Sequence, residues 1–172
     1  MLLVFFSRAG ENYFNGGRKD LTVGNTEVVA GMVRDALHCD VFQIKAVDPY
    51  PHSYDATVQR NVREQNEDAR PKIANLPASL SGYQTILVGS PVWNVRAPRI
   101  MLTFAERYDF TGKTIYPFTT YALNGLGSVV DEYRAAFGGA KLGEALAIRG
   151  EEAEGSRSQA DRWLRHIGLV KA

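Results

Sequence analysis

The sequence predicts an α/β fold: a parallel sheet with helices packed on both faces. Three observations carry this. Strand-like and helix-like segments alternate from one end of the chain to the other. Two of the strand-like segments, Leu2–Phe6 and Thr85–Gly89, are unbroken apolar runs of strand length, as expected of strands buried on both faces. The length of 172 residues suits one domain with a sizeable core, read here as residues 1–172, and no internal repeat or low-complexity segment divides it.

Each element has its own signal. Asn25–Leu37 places Val28, Val29, Met32, Val33, Ala36 and Leu37 on one stripe at helical spacing. Asp40–Ala46 alternates, with Phe42 and Ile44 facing in, so it reads as a half-exposed strand near an edge. Tyr54–Ala69 is polar and charged, with Val58 and Val62 four apart, and reads as a thin surface helix. Pro71–Gly82 reads as a loop. Pro98–Tyr108 is helical, with Pro at its first position and Ile100, Met101, Phe104 and Ala105 on one face. Lys113–Thr119 is a strand weakened by Pro117, and Ser128–Phe137 is a helix stopped by Gly138-Gly139. Leu142–Ile148 and Ser156–Ile167 supply the last strand and helix.

Composition narrows the function. Twenty Lys and Arg against 19 Asp and Glu leave a net charge of +1, which argues against a nucleic-acid binder. The single cysteine, Cys39, permits no internal disulfide and reads as a small buried apolar residue in a reducing, cytoplasmic protein. No run approaches the roughly 18 apolar residues of a membrane span. The start, "MLLVFF", lacks a basic leader region and is expected to be a strand, not a signal peptide. His38, His52 and His166 have no ligand spacing, so no metal site is expected.

In parallel sheets of this kind ligands lie beyond the carboxyl ends of the strands, where strand order reverses. Three loops therefore matter. The first runs from Ser7 to "GNT" at a helix start, where free N–H groups and the helix dipole favour an anion. Ser7, Asn25 and Thr26 can donate to it, or Asn25 or Gly24 caps the helix with Glu27 closing a capping box. The loop lacks a nucleoside-triphosphate lysine and a dinucleotide fingerprint, so a single terminal phosphate fits better. The second loop, "GSPVWNVRAP", sets Trp93 among turn formers at a sheet end, where its face suits a flat aromatic ligand. The third, "TTYALNGLGS", combines hydroxyls, a Tyr and two glycines; it is either a ligand edge or a plain connection.

These segments, in this order, resemble the flavodoxin family, particularly members with an insert in the first loop. The resemblance rests on "VFFSRAG" and "GNTEVVA", then "YPHSYDATVQR" and "YQTILVGSPVWNVRAP", then "TFAERYDFTGKTIYPFTTYALNGLGS" and the Trp163 helix. It implies a three-layer sandwich with a five-stranded sheet in the order 2-1-3-4-5, and non-covalent FMN. It places phosphate contacts on Ser7, Arg8, Ala9, Asn25 and Thr26. It places flavin-ring contacts on Pro91, Val92, Trp93, Asn94 and Val95, and on Thr119, Thr120, Tyr121, Gly125 and Gly127. It implies electron transfer through FMN to a redox partner protein or a small electron acceptor.

Family members usually cross the first turn in about six residues, whereas Gly10–Gly24 is an insert here, expected to hold no strand of the sheet. Arg8, Arg18 and Lys19 then lie near the phosphate, and Asn12, Tyr13 and Phe14 either cover the ligand or face a partner. Arg96 and Arg99 either face the flavin edge or are solvated residues at a helix start. The near-neutral charge departs from acidic electron carriers, so an FMN-dependent NAD(P)H oxidoreductase acting on a quinone-like acceptor is the alternative. A non-redox interaction module is the third.

Overall fold

A computed structural model describes residues 1–171. Along the first half run β1 (Leu2–Phe5), β2 (Gly10–Phe14), β3 (Gly17–Leu21), α1 (Asn25–Leu37), β4 (Asp40–Gln43) and α2 (Tyr54–Asn66). The second half holds β5 (Thr85–Pro91), α3 (Arg99–Ala105), β6 (Thr114–Tyr121), α4 (Val129–Ala136), β7 (Lys141–Leu142), β8 (Leu146–Arg149) and α5 (Arg157–His166). The main sheet is parallel, in the order β4-β1-β5-β6, with β7 and β8 both pairing with β6 at the far edge. Counting β7 and β8 as one interrupted strand, this is the 2-1-3-4-5 order.

The unbroken apolar runs have their reason in the two cores. Leu2, Val4 and Phe6 enter one core with Ile86, Val88, α3 and α4, whereas Leu3 and Phe5 enter the other with Leu87, α1 and α5. Trp163 closes the second core, buried against Phe118, with its indole N–H donating to the Glu144 carbonyl at 3.0 Å.

Several expectations are corrected. The last strand is broken into β7 and β8, which flank Tyr116 and Pro117 of β6. Pro117 has no N–H to offer a neighbour, so the edge strand departs there, and Gly143 presses on the Tyr116 ring where a side chain would not fit. The insert holds no strand of the main sheet, but it is not a plain loop: β2 and β3 pair antiparallel in a separate two-stranded sheet. Its tip is an Asn15-Gly16 turn with both residues at positive φ, the geometry that suits a two-residue hairpin. Helix α2 ends at Asn66, not Ala69, and its buried side is polar: Val58 and Val62 are exposed while Thr57, Asn61 and Glu64 are buried. Within Pro71–Gly82, Ile73 and Leu80 enter the core. Cys39 is only half-buried, and that burial pushes its thiol pKa up. Among the described residues, no helix is long and apolar enough to cross a membrane.

One surface pair links two elements and gives a pH test. Arg70, beyond α2, donates to both carboxylate oxygens of Glu106 at the end of α3, at 2.8 and 2.7 Å. The hydrogen bond from Arg70 holds the Glu106 carboxyl below its ordinary pKa. A depressed pKa stabilises the fold above the unfolded-state value, and the gain is lost as pH falls through the folded value. Glu106→Gln is therefore expected to lose about 1 kcal/mol or less at neutral pH, since the pair is exposed. Urea unfolding of the two proteins should converge as pH falls through the depressed Glu106 pKa; a gap that widens in acid would contradict the pairing.

Candidate binding cleft at the carboxyl ends of the strands

Loop one is rebuilt across the insert. The hairpin leaves the sheet after Ser7-Arg8 and returns at Gly24, so the end of β1 and the start of α1 still touch. The Ser7 hydroxyl oxygen accepts the Glu27 N–H at 3.1 Å, and Val28 N–H goes to the Gly24 carbonyl. Gly24 is the N-cap residue of α1, as one of the two expectations had it, but no side chain caps the helix and no capping box forms; the Glu27 carboxylate takes Gln43 Nε2 instead. Among the described residues, the N–H groups of Asn25 and Thr26 meet no acceptor, which leaves them for an anion.

Gly24 makes this contact possible. A Cβ there would lie 2.3 Å from Ser7 Oγ and 2.6 Å from the Arg8 carbonyl oxygen. Gly150 does the same on the opposite side, where a Cβ would meet Asn25 Nδ2 at 2.5 Å.

Arg8 fixes the hairpin base. Its Nη1 donates to the Pro51 and His52 carbonyls, both at 3.0 Å, and its Nη2 to the Glu11 carbonyl. Its Nε–H is buried and has no acceptor among the described residues. Burial lowers the pKa of this guanidinium, although it remains charged at neutral pH. Arg18 lies elsewhere, stacked on the Tyr54 ring and paired with Asp55, and Lys19 sits over Phe14.

The three loops meet in one cleft. Its walls include Ser7, Arg8, Asn25 and Thr26 from loop one, Pro91, Val92 and Trp93 from loop two, and Thr120 and Tyr121 from loop three. Thr26 and Thr120 share a buried hydrogen bond at 2.7 Å between their hydroxyls, which ties loop one to loop three. Trp93 is half-buried, edge-on to Phe6 and Tyr50 with ring centroids 5.5 and 5.0 Å away.

The other expected residues stand outside this cleft. Ala9 is exposed at the hairpin base, and Thr119 is buried in the sheet with its hydroxyl unpartnered among the described residues. Asn94 and Val95 form the tip of a tight turn, both at positive φ. For Val95 this conformation costs about 1–2 kcal/mol. The turn is held from behind: Gln65 Nε2 donates to the Trp93 carbonyl, Asn94 Nδ2 donates to Gln65, and Ser128 N–H donates to the Val95 carbonyl. Gly127, at positive φ, packs against that carbonyl, and Gly125 stands in open space.

Arg96 and Arg99 do not line the cleft. Both pair with Glu132, and Arg99 is fully buried, which neither expectation foresaw.

Of the hairpin residues named for a covering role, Asn12 and Tyr13 line the cleft and Phe14 does not, and the structure adds Tyr54, Ala122, Gly150 and Glu151. Glu151 is occupied with the hairpin tip, accepting the Asn15 N–H at 2.8 Å. The insert is thus one wall of the cleft, pinned at its base by Arg8 and at its tip by Glu151.

Comparisons agree with this architecture. A family profile described as flavodoxin matches residues 20–167. A provisionally assigned flavoprotein of Bacteroides uniformis ATCC 8492 shares 26% identity and a TM-score of 0.77, over 95% of this chain and 96% of that one. A second, from Bacteroides eggerthii DSM 20697, shares 23% identity and a TM-score of 0.77, over 96% of each chain. A flavoprotein of Lactobacillus acidophilus NCFM, solved in complex with FMN, shares the fold at 15% identity and a TM-score of 0.66, over 94% of this chain and 96% of that one. No curated protein matches the chain in sequence.

Proposed function

The chain belongs to the flavodoxin family, and from that premise we propose that it binds FMN non-covalently and passes electrons through it. One observation carries the reading: the unspent N–H groups of Asn25 and Thr26 at the α1 N-terminus belong to residues that line the same cleft as Trp93 and Tyr121. Phosphate suits the donor end. The Asn25 and Thr26 N–H groups, Arg8 Nε and the hydroxyls of Ser7 and Thr26 would hold it. The Glu151 carboxylate keeps that end well defined by disfavouring an anion on its own side. The flavin ring suits the end formed by Pro91, Val92, Trp93, Thr120 and Tyr121, with Asn94, Val95, Gly125 and Gly127 shaping the loops behind it. Bound FMN supplies the one- and two-electron chemistry; the residues of the chain bind it, orient it and restrict water around it.

The test is a pair of titrations. FMN is expected to bind at one per chain and much more tightly than riboflavin, because the donors are spent on phosphate. Ser7→Ala should weaken FMN by about 1–3 kcal/mol, the range for hydrogen bonds to a charged group. Equal affinity for FMN and riboflavin would remove the phosphate assignment. A second reading, an FMN-dependent NAD(P)H oxidoreductase with a quinone-like acceptor, is favoured by the net charge of +1, which gives no acidic field to steer a basic protein partner. Turnover of NADH or NADPH by the FMN-loaded protein separates it from an electron carrier.

A further inference from the structure

A second cavity, of about 240 Å³, opens beside the cleft. One wall is a stripe of α2 that includes Val58, Asn61 and Val62, and the other includes Val92 and Trp93, which line the cleft too, as do Arg8, Asn12 and Tyr54 at the junction of the two spaces. Two features mark it as built for a ligand. Val58 and Val62 are 41% and 40% exposed, so this helix leaves its apolar side chains uncovered. Asn61, between them, is only 3% exposed, and its Oδ1 has no donor among the described residues. A buried amide oxygen without a partner is costly, and native folds seldom leave one unless something else completes it.

We propose that this cavity binds a small neutral aromatic molecule with one ring hydroxyl or carbonyl, whose polar group bonds to Asn61 while the valines and Trp93 hold the ring. The size fits, since a cavity of roughly 150 Å³ already takes benzene and this one has room for two fused rings. The polarity fits too. An amide offers an acceptor at Oδ1 to a hydroxyl and, turned over, a donor at Nδ2 to a carbonyl. A neutral ligand is favoured because Val58, Val62, Val92 and Trp93 supply apolar wall, and Arg8, the cation of the lining, gives both Nη groups to backbone carbonyls and keeps Nε buried. On the reading above, a ring seated here would lie beside the flavin, because Val92 and Trp93 line both spaces. The binding itself does not depend on that reading.

Calorimetric titration with 2-naphthol, on the chain with and without saturating FMN, tests the proposal. Binding is expected in both forms, with naphthalene about tenfold weaker, the value of one hydrogen bond to a buried amide. Asn61→Leu should lose about tenfold for 2-naphthol and nothing for naphthalene, with FMN affinity changed by less than about twofold. Val58→Asp, on the exposed rim, should weaken both aromatic probes and guards against a misfolded Asn61 variant. Absence of 2-naphthol binding, or unchanged binding in Asn61→Leu, overturns the proposal. So does direct competition between 2-naphthol and FMN, which would make the cavity part of the cofactor site. Should FMN fail to bind while 2-naphthol still depends on Asn61, the proposed function falls and this site stands.

Discussion

Glu132→Leu is expected to lose about 3–5 kcal/mol of stability, the cost of stranding a buried charge. Arg99, at the first position of α3, is 2% exposed. Its guanidinium is neutralised by Glu132 of α4 on one side and Asp68, beyond α2, on the other. Glu132 also accepts from Arg96 Nε at 2.6 Å and from the Ala97 N–H at 2.8 Å. Its loss therefore strips an acceptor from three donors at once. Asp68 cannot compensate, because its side chain is 71% exposed and its charge is shared with Arg70. Arg99 Nε already lacks an acceptor among the described residues, so the site has no reserve.

The comparison is built into the same helix. Asp131 and Arg134 form an exposed pair one turn apart, and Asp131→Ala should change stability by about 1 kcal/mol or less. The double variant Arg99→Met/Glu132→Leu should recover the part of the loss that comes from stranding Arg99, while Arg96 and the Ala97 N–H stay without this acceptor. Urea unfolding of the four proteins measures this. A loss under about 1 kcal/mol in Glu132→Leu would mean that water reaches Arg99 and that the pair is not buried in solution.

What the sequence could reveal follows from what each feature depends on. β1 and β5 are legible because both faces of each strand enter a core, which forces every side chain to be apolar. The three ligand loops are legible because strand order places them at one sheet end. The orientation of α2 is not. The rule that valines face inward fails because the buried side is satisfied by polar partners. Glu64 accepts from the Tyr50 hydroxyl at 2.8 Å and from Arg60 at 2.7 Å, and the Thr57 hydroxyl donates to backbone carbonyls. Tyr50 and the Pro51 and Ser53 carbonyls come from the segment before the helix, and only the Arg60–Glu64 pair, four residues apart, lies within it. The same burial and the nearby Glu64 charge push the Tyr50 hydroxyl pKa far up, so it stays a donor.

The hairpin was legible in one dipeptide. Asn15-Gly16 is the residue pair a two-residue turn requires, but its flanks, Gly10–Phe14 and Gly17–Leu21, lack the alternating apolar pattern that normally accompanies it. They need none, because the strands are anchored by polar contacts: Glu11 N–H to the His52 carbonyl, Tyr54 N–H to the Glu11 carboxylate, and His52 to Asp20. Tyr54 and Glu151 reach the cleft only through such long-range contacts, so nothing local marks them. Gly150 alone carried a hint, as a glycine just past a strand end. Arg99 escaped notice because an arginine at a helix start is ordinarily solvated, and only the fold brings Glu132 to it.

Gly24→Ala is expected to leave the fold standing and weaken FMN roughly a hundredfold, about 2.7 kcal/mol, within the usual range for forcing a methyl into a packed contact. Gly24 lies at φ −67° and ψ 148°, which alanine adopts without strain, so its backbone conformation is not the obstacle. The obstacle is space. The new Cβ would stand 2.3 Å from Ser7 Oγ, 2.6 Å from the Arg8 carbonyl oxygen and 2.8 Å from the Arg8 carbonyl carbon. Ser7 could swing away, but only by giving up the Glu27 N–H that positions its hydroxyl at the helix start. The Arg8 backbone cannot swing, because its side chain is tied to Pro51, His52 and Glu11. The strand end and the helix start must therefore separate, and the proposed phosphate donors separate with them. Both core clusters are built without Gly24, so thermal unfolding should move by only a few degrees. Gly17→Ala is the matched control, since the nearest atom to its Cβ is 3.7 Å away in the same hairpin. FMN titrations of the two variants beside the parent read the difference directly. If Gly24→Ala binds FMN as the parent does, the phosphate is not held where β1 meets α1, and the donors there serve some other anion.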